Sequence, residues 1–206
     1  MAVTKLQVQR ISREVVIDPS ETTRRAPCKE ELQAYLLGAL HDASLNKKKR
    51  YRFTQKGIEW LTFLQKLFQE LGYKSWIYRE GSRDVHTLET LASFLDFGFD
   101  PLTLVTDAGK AAYIRGFFDA EGGVPRNKEA KFYVQLVQKD RIKIEKLVRM
   151  LDTLDISTGK IHNPSERVDP EYWRVYVSAK SHKDFASKIG SEHPLKKKIL
   201  QTRVMI

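Results

Sequence analysis

Two kinds of residue in this chain are placed to do chemistry. The first are Arg, Lys, Gln and Tyr side chains at alternate positions in strand-like segments, where every second side chain shares a face. In Arg50–Gln55, RYRFTQ, Arg50, Arg52 and Thr54 project together while Tyr51 and Phe53 turn to the core. In Lys131–Gln138, KFYVQLVQ, Lys131, Tyr133 and Gln135 project, opposite Phe132, Val134 and Leu136. In the last strand Tyr172, Arg174 and Tyr176 project, opposite Trp173, Val175 and Val177. Lys74, Trp76 and Tyr78 share one face of another strand, and Lys160 and His162 one face of a further one. Such rows suit DNA: Arg and Lys can read guanine edges, Gln can read adenine, and the remainder can hold phosphate. Lys48, in the run Lys47–Lys49, sits where a hairpin tip meets phosphate, and Arg126 and Lys128 join the same set. A plainer reading is that any antiparallel sheet with one wet face is polar on that face. The bias toward Arg, Lys and Tyr, with little Asp or Glu, favours nucleic acid.

The second kind are carboxylates at the ends of two glycine-centred apolar segments. Glu31–Leu45, ELQAYLLGALHDASL, carries Gly38, and Gly109–Val124, GKAAYIRGFFDAEGGV, carries Gly116. Each has a tyrosine three residues before its glycine, Tyr35 and Tyr113, and an acidic end. Other chemistries find little support. Ser44 and Ser181 have no visible partners for a hydrolase triad, and no glycine loop of the phosphate-cradling kinds is present. His41 beside Asp42 suggests a metal ligand, but a lone histidine between Leu40 and Asp42 reads as a packing or solvent residue. The single cysteine, Cys28, excludes an internal disulfide and a cysteine-based zinc site.

Composition narrows the partner. With 36 Lys and Arg against 26 Asp and Glu, the 206 residues carry a formal charge of +10, which favours a polyanion. The charge is uneven: residues 1–100 hold 16 basic and 13 acidic residues, and the remainder 20 and 13. At 41% hydrophobic and 10% aromatic, the composition is that of a packed domain and not of a disordered chain. No apolar run approaches the length needed to cross a bilayer, and the first residues lack a secretory apolar core. The expectation is an intracellular protein with no membrane role, in cytoplasm, nucleoid or an organelle.

The elements that must position these residues repeat. The order is helix, strand, strand, helix, strand, strand, helix, twice over: an α+β fold of two αββαββα units. The first unit's amphipathic helix carries Ile58, Leu61, Leu64, Phe68 and Leu71; the second's carries Ile144, Leu147, Val148, Leu151 and Leu154. Strands at Lys74–Arg79 and Val85–Leu88 bracket the turn Glu80-Gly81-Ser82. Strands at Ser157–His162 and Tyr172–Val177 bracket the loop Pro164–Pro170. Helices at Glu89–Leu95 and His182–Ile189 close the units, a basic helix at Pro194–Arg203 follows, and Asp107 is the N-cap of the second glycine helix. Residues 1–27 lie outside the repeat, with Leu6, Val8, Val15, Val16 and Ile17 as a candidate strand or packing segment and Arg24-Arg25 as a DNA-flank contact. The units are placed at 28–105 and 106–206, joined through Phe97–Asp107.

The segment Ile114–Gly122, IRGFFDAEG, resembles the signature of the LAGLIDADG homing endonucleases, and Leu36–Ser44, LLGALHDAS, a degenerate copy. The glycines lie 116 − 38 = 78 residues apart, and each helix is followed by a strand ending in Gln-Lys. The resemblance implies two four-stranded β-saddles flanking two central helices that pack side by side through Gly38 and Gly116. It implies a monomer with internal pseudo-two-fold symmetry that binds a long asymmetric double-stranded DNA and cuts both strands. The metal, Mg²⁺ or Mn²⁺, would be held by Asp42 and Glu121. Gln55 and Gln138 would position water or phosphate, and Lys56 and Lys139 would stabilise charge.

The first motif departs from the pattern. Glu121 is five residues after Gly116, but the residue five after Gly38 is Ala43, and Asp42 is one position early. One step around an α-helix turns a side chain by roughly 100°. Three readings are open: the first helix ends a residue sooner and brings Asp42 to the site; cleavage is lost and DNA binding kept; or an acid at 43 has been replaced by alanine. The competing functions are therefore a nuclease, a DNA-binding protein or intron-RNA maturase of the same fold, and a basic scaffold on ribosomal RNA. In either of the first two, Lys196, Lys197, Lys198 and Arg203 are expected at phosphates.

Overall fold

The computed structural model describes residues 26–47, 49–82 and 84–204. The expectations on the segment before Ala26 and on Lys48 lie outside the described residues. Two helices lack the one-sided patterning of a surface helix. In α1 (Lys29–Ala39) every residue from Ala34 to Ala39 is buried. In α3 (Asp107–Glu121) eight of the nine residues from Ala111 to Asp119 are buried. A helix apolar on all sides belongs inside a core, and these two lie side by side at the centre.

Their contact is set by glycine. A Cβ on Gly38 would stand 2.0 Å from the Tyr113 carbonyl oxygen and 2.8 Å from the Phe117 nitrogen. One on Gly116 would stand 2.0 Å from the Tyr35 carbonyl oxygen and 2.8 Å from the Ala39 nitrogen. The tyrosine is three before the glycine and the nitrogen one after it in both cases, so the crossing is a near-perfect pseudo-two-fold. The two backbones touch because no side chain intervenes.

After α1 the chain forms a four-stranded antiparallel sheet of β1 (Ala43–Asn46), β2 (Arg50–Gln55), β3 (Ser75–Arg79) and β4 (His86–Thr90), in spatial order β1-β2-β4-β3. Its inner face carries Phe53 and Leu88, both fully buried and paired in register. Helix α2 (Glu59–Glu70) covers that face with Trp60, Leu61, Leu64, Leu67 and Phe68. Ile58, expected on this stripe, precedes the helix and is 44% exposed. Residues 89–95 are not a helix: Glu89 and Thr90 complete β4. The Thr90 hydroxyl donates to the Lys74 carbonyl and accepts from the Ala92 amide, which turns the chain instead of winding it.

The second unit has α3, β5 (Gly122–Gly123), β6 (Gln135–Gln138), α4 (Arg141–Thr153) and β7 (Trp173–Tyr176), in a three-stranded sheet of order β5-β6-β7. Here the expected four strands are reduced. Segment 157–162 pairs with β7 only through isolated bridges at Thr158–Val177 and His162–Arg174. Residues Lys131–Val134 precede β6 rather than join it, although the Val177 amide donates to the Val134 carbonyl. The N-cap of α3 is Thr106, whose hydroxyl accepts from the Gly109 amide at 3.1 Å, and Asp107 is its first residue. Asp140 caps α4 in the same way. The chain ends with α5 (His182–Asp184), a wide π-helical turn at Phe185–Ile189 and α6 (Pro194–Arg203).

Candidate active site and nucleic-acid face

At their C-terminal ends the two central helices finish differently. Helix α3 stays α-helical to Glu121, and β5 begins at Gly122. Helix α1 tightens at Leu40–Asp42 into a 3-10 turn, and β1 begins at Ala43. Three steps of roughly 120° in place of 100° advance the last residue by about 60°, recovering more than half of the angle lost to the missing residue. Asp42 therefore stands just before β1 as Glu121 stands just before β5. Each is a last helical residue entering a first strand.

The two acids sense each other. Burial raises the Glu121 carboxyl, and the Asp42 carboxylate raises it further, while Lys196 pulls it down. Burial lifts Asp42 to about 6, against the opposing pull of a Gln55 hydrogen bond and the Lys196 charge. Gln55 reaches this point because it shares the inner face of β2 with Phe53, at the strand's last position. Gln138, the matching last residue of β6, donates instead to His41 Nδ1 at 3.2 Å. Lys56 and Lys139, one residue on, are exposed.

His41 is not a solvent residue. With Nδ1 accepting from Gln138, the ring proton lies on Nε2, 2.8 Å from the Tyr113 hydroxyl. Burial and then Lys143 hold the ring down to about 4, so it is neutral near pH 7. Its pseudo-symmetric counterpart is Asp119, since each is three residues after its glycine. Asp119 is 1% exposed and accepts from the Tyr35 hydroxyl at 2.6 Å, from the Glu192 amide at 2.8 Å and from the Ser191 hydroxyl. Trp60 in turn donates to the Tyr35 oxygen at 2.9 Å. The cross-helix pairs Tyr35–Asp119 and Tyr113–His41 are thus one contact made twice. The equal offset from the two glycines was the sequence signal for both.

Lys196 departs from expectation. It does not point outward with Lys197 and Lys198; its ammonium donates to the carbonyls of Phe118 and Asp119 at 2.7 and 2.8 Å. Burial brings it down to about 8, while the charges of Asp119, Asp42 and Glu121 push it up. Arg203 also turns inward, donating to the carbonyls of Asn127 and Ala130.

The outer faces of the two sheets carry the expected rows, with different electrostatics. On the first, register places Arg52, Glu89 and Trp76 side by side, flanked by Arg50, Thr54 and Tyr78. Glu89 was not expected on this face. It is 2% exposed and accepts from Asn46, Arg50 and Tyr78 at 2.9, 3.0 and 3.1 Å. Arg52 pairs with Glu80 at 2.8 Å, and Thr54 lies 3.3 Å from Thr87. The exposed Lys74 precedes β3 on the same side. On the second face Gln135 lies opposite Tyr176, and Val137 opposite Arg174. Arg174 donates to the hydroxyls of Tyr176 and Tyr172 at 2.8 and 3.1 Å and stacks on both rings. His162 stacks on Tyr176, and Tyr133 meets it edge-on. Arg126, Lys128, Lys131 and Lys160 are exposed. The first face neutralises its arginines with carboxylates; the second holds its arginine with phenols.

Residues 108–190 match the family model described as a LAGLIDADG-like domain. The chain carries a LAGLIDADG-like domain. The fold of this LAGLIDADG-like protein is also that of solved structures. Over 81% of it and 99% of the other chain, it superposes on I-DmoI in complex with DNA and Mn at 23% identity and a TM-score of 0.60. Over 85% of it and 99% of the other chain, it superposes on I-DmoI in complex with DNA and Ca at 21% identity and a TM-score of 0.61. Full-length DUF199/WhiA from Thermatoga maritima superposes at 18% identity and a TM-score of 0.64, over 87% of this chain and 62% of that one. No curated protein matches by sequence.

The donors at the LAGLIDADG helix ends suit a particular kind of ion. Among the described residues no three His, Cys, Asp or Glu side chains form a metal cage. Mg²⁺ and similar hard cations that keep waters and share substrate phosphates need only one or two carboxylates. The Asp42–Glu121 pair offers that set.

Proposed function

We propose that the protein is a monomeric, site-specific, divalent-metal-dependent DNA endonuclease built from two half-site readers, residues 28–105 and 106–206, and acting inside the cell. The observation that carries this reading is the meeting of Asp42 and Glu121 at the ends of two pseudo-symmetric helices, between two sheets whose outer faces bear Arg, Lys, Gln and Tyr. The rows on each face would lie in the major groove, and because they differ the target is asymmetric.

Asp42 and Glu121 would hold Mg²⁺ or Mn²⁺, with Lys56 and Lys139 at the edge of the site. The bound ion supplies charge stabilisation at phosphorus and a more acidic water. The chain's own residues set the geometry. Gln55 fixes the Asp42 carboxylate, and Gln138 and Tyr113 fix His41 behind it. The Gly38–Gly116 crossing sets how closely the two acids approach.

The test is selection of bound and cut molecules from a randomised DNA library, with Ca²⁺ to trap complexes and Mg²⁺ or Mn²⁺ to start cleavage. The selected site is then assayed as a plasmid insert. Glu121→Gln should retain binding and lose scission of both strands; cleavage at the unmodified rate would sink the catalytic assignment. A second reading keeps binding without cleavage, on DNA or intron RNA. It is favoured by the bond that already ties Asp42 to Gln55 and by alanine at position 43. A gel shift with no cutting under any divalent ion would establish it.

A further inference from the structure

Helix α6 is fastened to the end of α3 by a reciprocal clasp. The loop before α6 donates to the Asp119 side chain through the Glu192 amide and the Ser191 hydroxyl. Lys196, on the first turn of α6, donates back to the main-chain carbonyls of Phe118 and Asp119. Its ammonium also stands 5.3 Å from the centre of the Phe118 ring. Those carbonyls belong to the last turn of α3, where unpaired oxygens and the helix dipole favour a cation. The same turn ends in Glu121, and both Glu121 and Asp42 feel the Lys196 charge. A surface lysine would not be held by two carbonyls, an aromatic face and two acids together.

We propose that Lys196 is a built-in counter-cation of the acid pair, holding Asp42 and Glu121 together without metal and weakening the pair's affinity for a divalent ion. It is a positioning residue that acts through Glu121 and the end of α3. This rests on the reading of Asp42 and Glu121 as the metal site. The physical argument is one of charge. Two like charges converging in a partly buried place repel, and a third charge of opposite sign at the same place relieves them. An arriving divalent cation then meets two acids and one ammonium instead of two acids alone. At an effective dielectric of about 20, removing one unit charge several ångströms from a divalent ion shifts binding by more than a factor of ten.

The experiment is a Ca²⁺ titration of the DNA-free protein, read by calorimetry and by the Ca²⁺-dependent rise in Tm. It uses the unmodified protein, Lys196→Met, Lys196→Gln and Lys196→Arg. Lys196→Met should lower Tm without metal, bind Ca²⁺ at least tenfold more tightly, and gain more in Tm from Ca²⁺ than the unmodified protein. Lys196→Arg, which keeps the charge, should titrate like the unmodified protein. Lys196→Gln keeps a donor for the Phe118 carbonyl and serves if the methionine variant does not fold; it too should bind Ca²⁺ more tightly. Equal Ca²⁺ affinity in the neutral variants and the unmodified protein would overturn the proposal and leave Lys196 a helix cap. Tightening in the arginine variant as well would assign the effect to packing and also overturn it. No Ca²⁺ binding in any form would overturn the metal reading of the acid pair, and this proposal with it.

Discussion

Replacing Gly116 with alanine adds one methyl group at the crossing of α1 and α3. That methyl would lie 2.0 Å from the Tyr35 carbonyl oxygen, 2.8 Å from the Ala39 nitrogen and 2.9 Å from the Tyr35 carbonyl carbon. All three are main-chain atoms, so no side chain can swing aside. Restoring an ordinary contact of 3.4 Å needs 3.4 − 2.0 = 1.4 Å of displacement between two buried helices. Overpacking of this kind costs about 1–3 kcal/mol, and a main-chain obstacle puts it at the upper end. Alanine returns about 1 kcal/mol through helix propensity, which leaves a net loss of about 2 kcal/mol. For a chain of this size that is a fall in Tm of roughly 4–8 °C. Gly159→Ala is the control, since its Cβ would meet only the Tyr176 carbonyl oxygen at 3.7 Å; its change should stay within about 0.5 kcal/mol. Urea and thermal unfolding followed by circular dichroism measure both. A Gly116→Ala protein as stable as the unmodified one would refute the close-crossing argument, and Gly38→Ala should repeat the result from the other helix.

Asp119→Ala should destabilise by about 3 kcal/mol or more, because it strands buried donors from Tyr35, Ser191 and the Glu192 amide; urea unfolding with unchanged stability would contradict the clasp. Asp42 titrates near 6 when folded and near 3.8 when unfolded, so the folded chain binds more protons between those values. Its contribution to stability therefore falls as pH rises through that window. His41 and His193, each held down to about 4, contribute in the opposite sense, losing stability as pH falls from 6.5 toward 4. The difference in Tm between Asp42→Asn and the unmodified protein isolates the carboxylate: it should be near zero at pH 4 and favour the asparagine variant at pH 7, and a flat difference would refute the shift. Arg174→Ala should weaken DNA binding by about 1–3 kcal/mol with relaxed preference at one position if Arg174 reads a base. A uniform loss with a smaller salt dependence would mark it as a phosphate contact.

Local sequence was enough for what local chemistry governs. The spacing of apolar residues located α2 and α4, and the alternation of Tyr51, Phe53 and Leu136 with polar neighbours assigned the strand faces. The paired glycines anticipated the helix crossing, because only a missing side chain lets two backbones touch. The Glu89–Leu95 expectation failed because its apolar spacing fits a helix as well as a buried strand. The Thr90 hydroxyl and the pairing with β2 and β3 decided for the strand. The second sheet lost a regular edge strand for the same reason, since pairing depends on a neighbour that no local pattern describes.

The site divides along the same line. Residue types named Asp42, Glu121, Gln55 and Gln138, yet the offset of one residue at Asp42 was an angle, and only the wound helix has angles. Its tightening into a 3-10 turn is set by where β1 must pair, between Ala43 and Phe53. Asp119, His41 and Lys196 form their bonds across 72 to 84 residues of sequence. A hydrogen bond acts over about 3 Å of space, so its partners are fixed by the packing of α1, α3 and α6 and not by their order in the chain. The sequence alone determined that two pseudo-symmetric halves meet through glycine with acids at the ends. The tertiary structure decided which acids converge, which histidine and aspartate support them, and that a lysine from the last helix stands among them.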